Sequence, residues 1–402
     1  MIQWLLAINK GYRVGLYCSD VSGAFDRVSR ARLLEKLKAK DIHPKVLRLL
    51  ESWLDTRTAE VIVDGCASDP MVLDNSVFQG TVWGPPLWNV FYEDSRIPIR
   101  SQHFIEMVFA DDLNCFRSFP ASCSDALIFE CMRCCQESLH EWGCANQVLF
   151  DPSKESFHIL HDVHGVGDCF HQLGLRFDNS LSMKDAVYEL AGVGHARVTA
   201  ILRLRRFHQM SCVIGFYKAQ VLNKLEFATP AIYHATDFIL AALDRVQDRF
   251  LEALEISQEA AIFEFKLAPL RTRRDLAMLG LLHRIVLGIA PRQFSEIVQF
   301  ASRPVFPRSL RGSQHRHNRQ LHDPFCGTEK RILRRSWLRL IYTYNLLPQG
   351  VVDHKSVSAF QGHLQAGVLC AVRSGLYKWD SLLSSGIYRM SVATFQGLFD
   401  AR

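Results

Sequence analysis

Apolar and polar positions change period several times along the first 178 residues of the chain. The run Val14 to Cys18 is continuously apolar and stops at Ser19, Asp20 and a Gly23 turn, which predicts a buried strand that delivers Asp20 at its end and is followed by a helix. In "SRARLLEKLKAKDIHPKVLRLLESWL" the apolar residues Leu33, Leu34 and Leu37 recur at helical spacing, and Pro44, a favoured first-turn residue, restarts a second amphipathic helix. "AEVIVDGCASDPMVLDNSV" alternates around Asp64-Gly65, a strong hairpin signal. A Gly-Pro-Pro break then opens the apolar helix of "VWGPPLWNVFYEDSRI", and residues 104–116 read as a strand pair around Asp111 and Asp112. Residues 124–143 predict a helix with Leu127, Cys131, Cys134, Leu139 and Trp142 on one side, and the strand "SFHIL" follows a turn at Lys154.

That order of elements indicates an α+β domain with a mainly antiparallel sheet. From about residue 180 the pattern is nearly all helical, as in "HARVTAILRLRRF" and "TDFILAALDRVQDRFLEAL". A Pro, Gly, His and Arg rich stretch at 303–328 reads as a linker before a last helical segment. The chain contains no internal repeat.

Composition changes this picture in one respect. With 402 residues, 48% hydrophobic and 22% charged, the chain is an ordinary folded protein of two or three domains and not a disordered one. The formal charge of +6 conceals an asymmetry: residues 1–200 carry 19 Lys and Arg against 26 Asp and Glu, and residues 201–402 carry 28 against 15. An acidic half joined to a basic half suits metal at one end and polyanion at the other, although solvated helix faces account for any single basic run equally well. No apolar run reaches the ~18 residues of a membrane span and the start lacks the charge of a signal peptide, so an intracellular protein without membrane contact is expected. The 12 irregularly spaced cysteines are expected to be free thiols.

Two adjacent carboxylates at the end of an apolar strand repel one another and lose hydration, so Asp111 and Asp112 need either a turn that uses them as hydrogen-bond acceptors or a cation against them. If the strand ending at Asp20 neighbours theirs, three carboxylates converge where two hard cations could be held by oxygen ligands. Two such ions activate a hydroxyl and stabilise the leaving phosphate in nucleotidyl transfer.

Five stretches in this order, "SDVSGAFDRV", "VFQGTVWGPPLWNVFYED", "VFADD", "DPSKESF" and "LGLRFD", resemble the motifs of reverse transcriptases, most closely those of non-LTR (LINE-type) retrotransposons. "AIYHATDFILAALDRVQDRFLEAL" resembles the helical region that follows. The resemblance implies a right-hand polymerase with a palm and partial fingers at 1–178, a helical thumb and connection at 179–260, and a basic, mostly helical C-terminal region at 261–402. It implies an RNA-directed DNA polymerase using two Mg2+ (or Mn2+) ions, an RNA template, a DNA primer and dNTPs.

Carried over by position, Asp20 matches the first catalytic aspartate and Asp111 and Asp112 the pair, with the Val21 carbonyl helping to ligate metal. Phe25 matches the aromatic gate under the sugar, which leaves no room for a 2′-hydroxyl and so favours deoxynucleotides; apart from the resemblance it reads as a core aromatic. Gln79 and Gly80 match the pair beside the incoming nucleotide, and Lys154 the lysine that neutralises or protonates the leaving phosphate. "LGLRFD" resembles the hairpin that holds the primer.

Ser76 and Phe78 stand where the family usually has Gly and Pro, and Asp151 where it has Asn. Asp20 lies only 19 residues after the first position, so the upstream fingers, with their triphosphate-binding cations, have no counterpart; only the 58–74 hairpin represents them. The expectation is an impaired polymerase, and the alternative is a non-catalytic nucleic-acid-binding remnant. Neither an endonuclease nor an RNase H signature is present, and oligomeric state is not legible.

Two further clusters have metal-like spacing. Cys131, Cys134, His140 and Cys144 form C-x2-C-x5-H-x3-C, but within an amphipathic helix, where cysteine packs as a small hydrophobe. His158, His161, His164, Cys169 and His171 gather around a hairpin, where a metal clip and scattered loop histidines are both readings of the pattern.

Overall fold

The computed structural model describes residues 1–55, 57–73, 75–302, 317–325, 327–384 and 391–400. Part of the linker expected at 303–328 therefore lies outside the described residues. The chain forms two compact units, Lys10–Asp168 and Met1–Asn9 with Cys169–Arg402.

The first unit is built on β1 (Arg13–Ser19), the apolar run of the sequence, which is buried from its second residue onward. A strand buried on both faces must lie inside a sheet, and β1 does: the order is β6-β7-β1-β8, all antiparallel, with β6 at Ile105–Phe109, β7 at Asp112–Phe119 and β8 at Ser156–Leu160. The helix Asp125–Asn146 covers one face. Ser124 caps its start by accepting from Leu127 N–H at 3.3 Å, and Gln147 ends it in the left-handed conformation. Its buried stripe is Ile128, Met132, Cys135, Leu139 and Gly143, one residue on from much of the expected face; Leu127 is exposed, and Cys131 and Cys134 only half-buried. The helix meets the sheet so closely that a Cβ on Gly15 would lie 2.9 Å from both Ile128 Cγ2 and Phe119 Cε2.

The helices Arg30–Ala39, Pro44–Leu54 and Gly84–Tyr92 contribute Leu33, Leu37, Leu50, Leu54, Leu87, Trp88 and Phe91 to the same core. Between them, β2 (Thr58–Ala59) pairs with β5 (Met71–Val72) and β3 (Ile62–Val63) with β4 (Cys66–Ala67). The Asp64-Gly65 link has positive φ at both residues, as a two-residue hairpin of this type requires. Ile62, Val63, Met71 and Val72 on this ribbon are exposed.

The second unit begins with the hairpin of β9 (Phe170–Gln172) and β10 (Leu175–Phe177), which turns at Leu173-Gly174. Trp4, from the helix Ile2–Asn9, packs edge-on against Phe170 and Phe177 at 6.3 Å. Helices follow, as the sequence pattern predicts. Lys184–Leu204 packs on Asp237–Ala253, closely enough that a Cβ on Gly194 would meet Val246 Cγ1 at 3.0 Å. Leu270–Val286 packs on Val357–Arg373, where the buried His283 ring stacks on Phe360 at 4.0 Å and bonds the Tyr344 hydroxyl at 2.9 Å. Among the described residues no helix is long and apolar enough to cross a membrane.

Candidate active site

The β1–β7 register pairs Ser19 with Leu113, so the next residue outward on each strand is Asp20 and Asp112. The condition set by the sequence, that the two strands be neighbours, is thereby met. The buried Ser19 Oγ donates to the Leu113 carbonyl at 3.0 Å and locks this end of the ladder.

Asp111 lies in the two-residue turn between β6 and β7, beyond the Phe109–Asp112 pair. The other turn residue, Ala110, has φ 55°, a conformation costly for a residue with a Cβ. The turn is held from outside: Trp88, buried in its helix, donates from Nε1 to the Ala110 carbonyl at 2.9 Å.

On the other side of β1, Ser22 N–H donates to the Leu149 carbonyl at 2.8 Å and Asp151 N–H to the Asp20 carbonyl at 3.0 Å. These bonds flank the Val21–Phe150 bridge and use the Asp20 and Leu149 carbonyls, not that of Val21. Asp151 Oδ1 accepts from Ser153 N–H at 3.0 Å and from Ser153 Oγ at 2.6 Å, an Asx turn that Asp makes as well as the Asn usual here. The turn aims Lys154, whose Nζ donates to Asp20 Oδ2 at 2.5 Å. Glu155, the next residue, is buried and accepts from Tyr17 Oη and from Gln136 Nε2 at 2.8 Å, with His140 Nε2 at 2.9 Å.

The charges interact as this placement requires. Burial, then the Asp111 and Asp20 charges, push the Asp112 carboxyl up, while Lys154 opposes them. The hydrogen bond and charge of Asp20 raise Lys154. The Tyr92 hydroxyl is buried with no hydrogen-bond partner among the described residues, and burial followed by the fields of Asp111, Asp20 and Asp112 drives its pKa far up. Negative charge is therefore in excess here, as suits hard-cation ligands. Among the described residues no three His, Cys, Asp or Glu side chains are drawn into a closed metal cage. Asp20 is instead turned onto Lys154.

The remaining candidates border this cluster. The Phe25 ring is half-buried against Trp88, with centroids 5.7 Å apart, and its carbonyl accepts from Val77 N–H at 2.8 Å. Gln79 and Gly80 are exposed in the loop that follows, where Gly80 has φ 84°. The sequence reading passed over Trp88, Tyr92 and Glu155. Trp88 and Tyr92 lie four residues apart and stack at 4.8 Å; two buried aromatics with polar tips on one helix are the signal that could have marked them. His140, one member of the Cys/His spacing, is engaged by Glu155 and stacks on Phe150 at 5.1 Å, while Cys135 of the same helix meets Cys115, Sγ to Sγ 3.6 Å.

The sequence profile of the family described as reverse transcriptase (RNA-dependent DNA polymerase) matches residues 5–175. An RNA-directed DNA polymerase from the mobile element jockey of Drosophila funebris is 36% identical over 247 residues, which cover 56% of this chain and 26% of that protein. Its counterpart from Drosophila melanogaster is 41% identical over 86 residues, covering 21% of this chain and 9% of that protein. The chain thus spans about a quarter or less of the length of these curated relatives. Among solved structures, telomerase from Candida albicans in complex with a TWJ fragment of telomeric RNA aligns with a TM-score of 0.27 and 12% identity, over 71% of this chain and 48% of that one. Residues 5–175 thus match the reverse-transcriptase family, in agreement with the non-LTR resemblance drawn from the five motifs.

Proposed function

We propose that this reverse-transcriptase domain performs RNA-directed DNA synthesis as the polymerase core of a non-LTR retrotransposon, extending a DNA primer on an RNA template with dNTPs. The observation that carries the reading is the β1–β7 register, which brings Asp20 beside Asp111 and Asp112 with Lys154 against them. In this reading residues 1–178 form the palm with partial fingers, 179–260 the thumb and 261–402 a basic region that grips nucleic acid.

Asp20, Asp111, Asp112 and the Val21 carbonyl would hold two divalent cations, which supply activation of the primer hydroxyl and charge stabilisation of the leaving pyrophosphate. The excess of carboxylate charge and the unspent Val21 carbonyl support that fit. Lys154, aimed into the site by the Asp151 turn, would offer its proton and charge to the leaving phosphate. Phe25, stiffened by Trp88, closes the space under the sugar against a 2′-hydroxyl. Gln79 presents an amide to the nucleotide, and the open Gly80 lets the backbone approach it.

Primer extension on an RNA template with dNTPs and Mg2+, comparing the chain with Asp111→Asn, tests the reading. Incorporation that disappears in the variant is the expected result. Equal incorporation by both would reject the carboxylate site, and none by either, with salt-sensitive binding of primed template retained, would leave a nucleic-acid-binding protein.

A further inference from the structure

The second unit contains a cavity of about 250 Å3, far in sequence from the carboxylates, walled by the start of the helix Asp237–Ala253, the helix Leu270–Val286 and the segment 334–339. Five arginines line it against two aspartates. Not all of these guanidinium groups are spent. Arg274 is engaged by both oxygens of Asp244, at 2.9 and 3.1 Å, and Arg334 bonds the Gly327 carbonyl. Arg335 has a different inventory: Nε donates to the His234 carbonyl at 2.9 Å, it forms no ion pair among the described residues, and burial followed by the Arg331 charge holds its guanidinium below the usual range, with the Asp237 charge opposing them. Among the described residues Arg271 pairs with Asp237 alone, at 4.0 Å, the outer limit of an ion pair, and its charge also acts on Asp275.

The same wall holds two unsatisfied buried polar atoms. Among the described residues Ser336 Oγ has no hydrogen-bond partner, and neither has Asp275 Oδ2, although Tyr233 donates to the other oxygen of that carboxyl at 2.5 Å. Clustered, partly desolvated guanidinium groups repel unless enough negative charge lies between them, and a buried hydroxyl left without a partner is costly. One tetrahedral oxyanion relieves the guanidinium repulsion and meets the serine hydroxyl, because the planar forks of arginine match its oxygens and the serine adds a donor, while the Asp275 oxygen meets it only when that carboxyl is protonated, which its raised pKa of about 6 allows. The volume falls below the roughly 300–1,000 Å3 of pockets for drug-sized ligands, so the occupant is compact.

We propose that the cavity lined by Arg271, Arg274, Arg335, Arg339 and Ser336 is a binding site for a compact phosphoryl anion. The anion is either free, as inorganic pyrophosphate, or carried on a nucleic-acid strand. The proposal does not depend on polymerase activity.

Calorimetric titration of the full chain with inorganic pyrophosphate tests it, together with fluorescence anisotropy on one RNA sequence bearing a 5′-phosphate or a 5′-hydroxyl. Saturable pyrophosphate binding is expected to weaken about tenfold in Arg271→Gln, which is about 1.4 kcal/mol. It should weaken less in Arg271→Lys, weaken measurably in Ser336→Ala and stay unchanged in Arg203→Gln, an exposed arginine outside the cavity. Competition between pyrophosphate and the 5′-phosphorylated RNA, with loss of both in Arg271→Gln, assigns the phosphate to a strand; pyrophosphate binding without competition assigns it to the free anion. If neither ligand's affinity depends on Arg271 while thermal melting shows the variant folded, the site does not exist.

Discussion

Trp88 Nε1 donates to the Ala110 carbonyl at 2.9 Å, so the turn carrying Asp111 is fixed by a helix that contributes no carboxylate of its own. Trp88→Phe keeps an aromatic ring against Phe25 and Tyr92 but removes this donor. The expected outcome is a stability loss of about 0.5–1.5 kcal/mol, with nucleotide incorporation falling by more than that loss explains, because a small displacement of reacting groups costs on the order of a hundredfold in rate. Single-nucleotide incorporation measured beside thermal melting separates the two effects; unchanged incorporation would release Trp88 from any positioning role.

Asp112 gives a prediction of opposite sign for stability and for activity. Its carboxyl is raised by burial and then by Asp111 and Asp20, so the folded chain holds that proton more tightly than the unfolded chain does. Stability is therefore lost as pH rises through the carboxylate range. Asp112→Asn, uncharged throughout, should melt higher than the parent at pH 8 without added metal, the gap closing as pH falls, and should not extend a primer. A variant that melts lower at pH 8 would show that the three carboxylates are not in conflict.

Asp275 carries the same linkage in the second unit. Burial lifts its carboxyl from an ordinary 3.8 to about 6, against the Tyr233 hydrogen bond and the charges of Arg274 and Arg271. The unfolded chain ionises first on raising pH, so roughly 3 kcal/mol of stability is lost between about pH 4 and 6 and not regained above. Urea denaturation of the parent and of Asp275→Asn at pH 4 and pH 7 should show the parent losing more over that interval. Parallel losses would place the titration elsewhere.

Gly15→Ala places a Cβ against Ile128 Cγ2 and Phe119 Cε2, both packed in the core. Overpacking of this kind costs about 1–3 kcal/mol. In the Ile128→Ala background part of the obstruction is gone, so the cost of Gly15→Ala should shrink there. Additive effects on the urea midpoint would contradict direct contact.

What the sequence disclosed and what it hid follow a physical division. The Asp64-Gly65 hairpin, the strand ending at Asp20 and the turn at Lys154 were legible because their signals are local: turn residues and short apolar runs. The buried stripe of Asp125–Asn146 was misplaced because a 100° advance per residue makes neighbouring stripes similar in composition, and only contact with β1 selects Ile128 and Met132 over Leu127 and Cys131. Trp88, Tyr92 and Glu155 were missed for a related reason. The polar tips of Trp88 and Glu155 are assigned by residues distant in the chain, Ala110 and Tyr17, and Tyr92 is set apart by the field of three carboxylates that only the fold assembles. The motifs single out the three aspartates as candidates, while the ion pair of Lys154 with Asp20 is visible only in three dimensions.

The clamp that joins Asp20 to the Asp151 turn has a consequence for how the protein is made. The partners of Asp20 are remote: Lys154 lies 134 positions away, and the Ser19–Leu113 bond spans 94. Contacts of such long range form late, since the intervening chain must first be closed into a loop. A nascent chain on the ribosome therefore lacks the assembled carboxylate cluster until β8 has emerged and seated itself on β1. A premature stop codon between Phe119 and Lys154 removes both the lysine and β8, leaving Asp20, Asp111 and Asp112 as uncompensated like charges in an open-sided sheet.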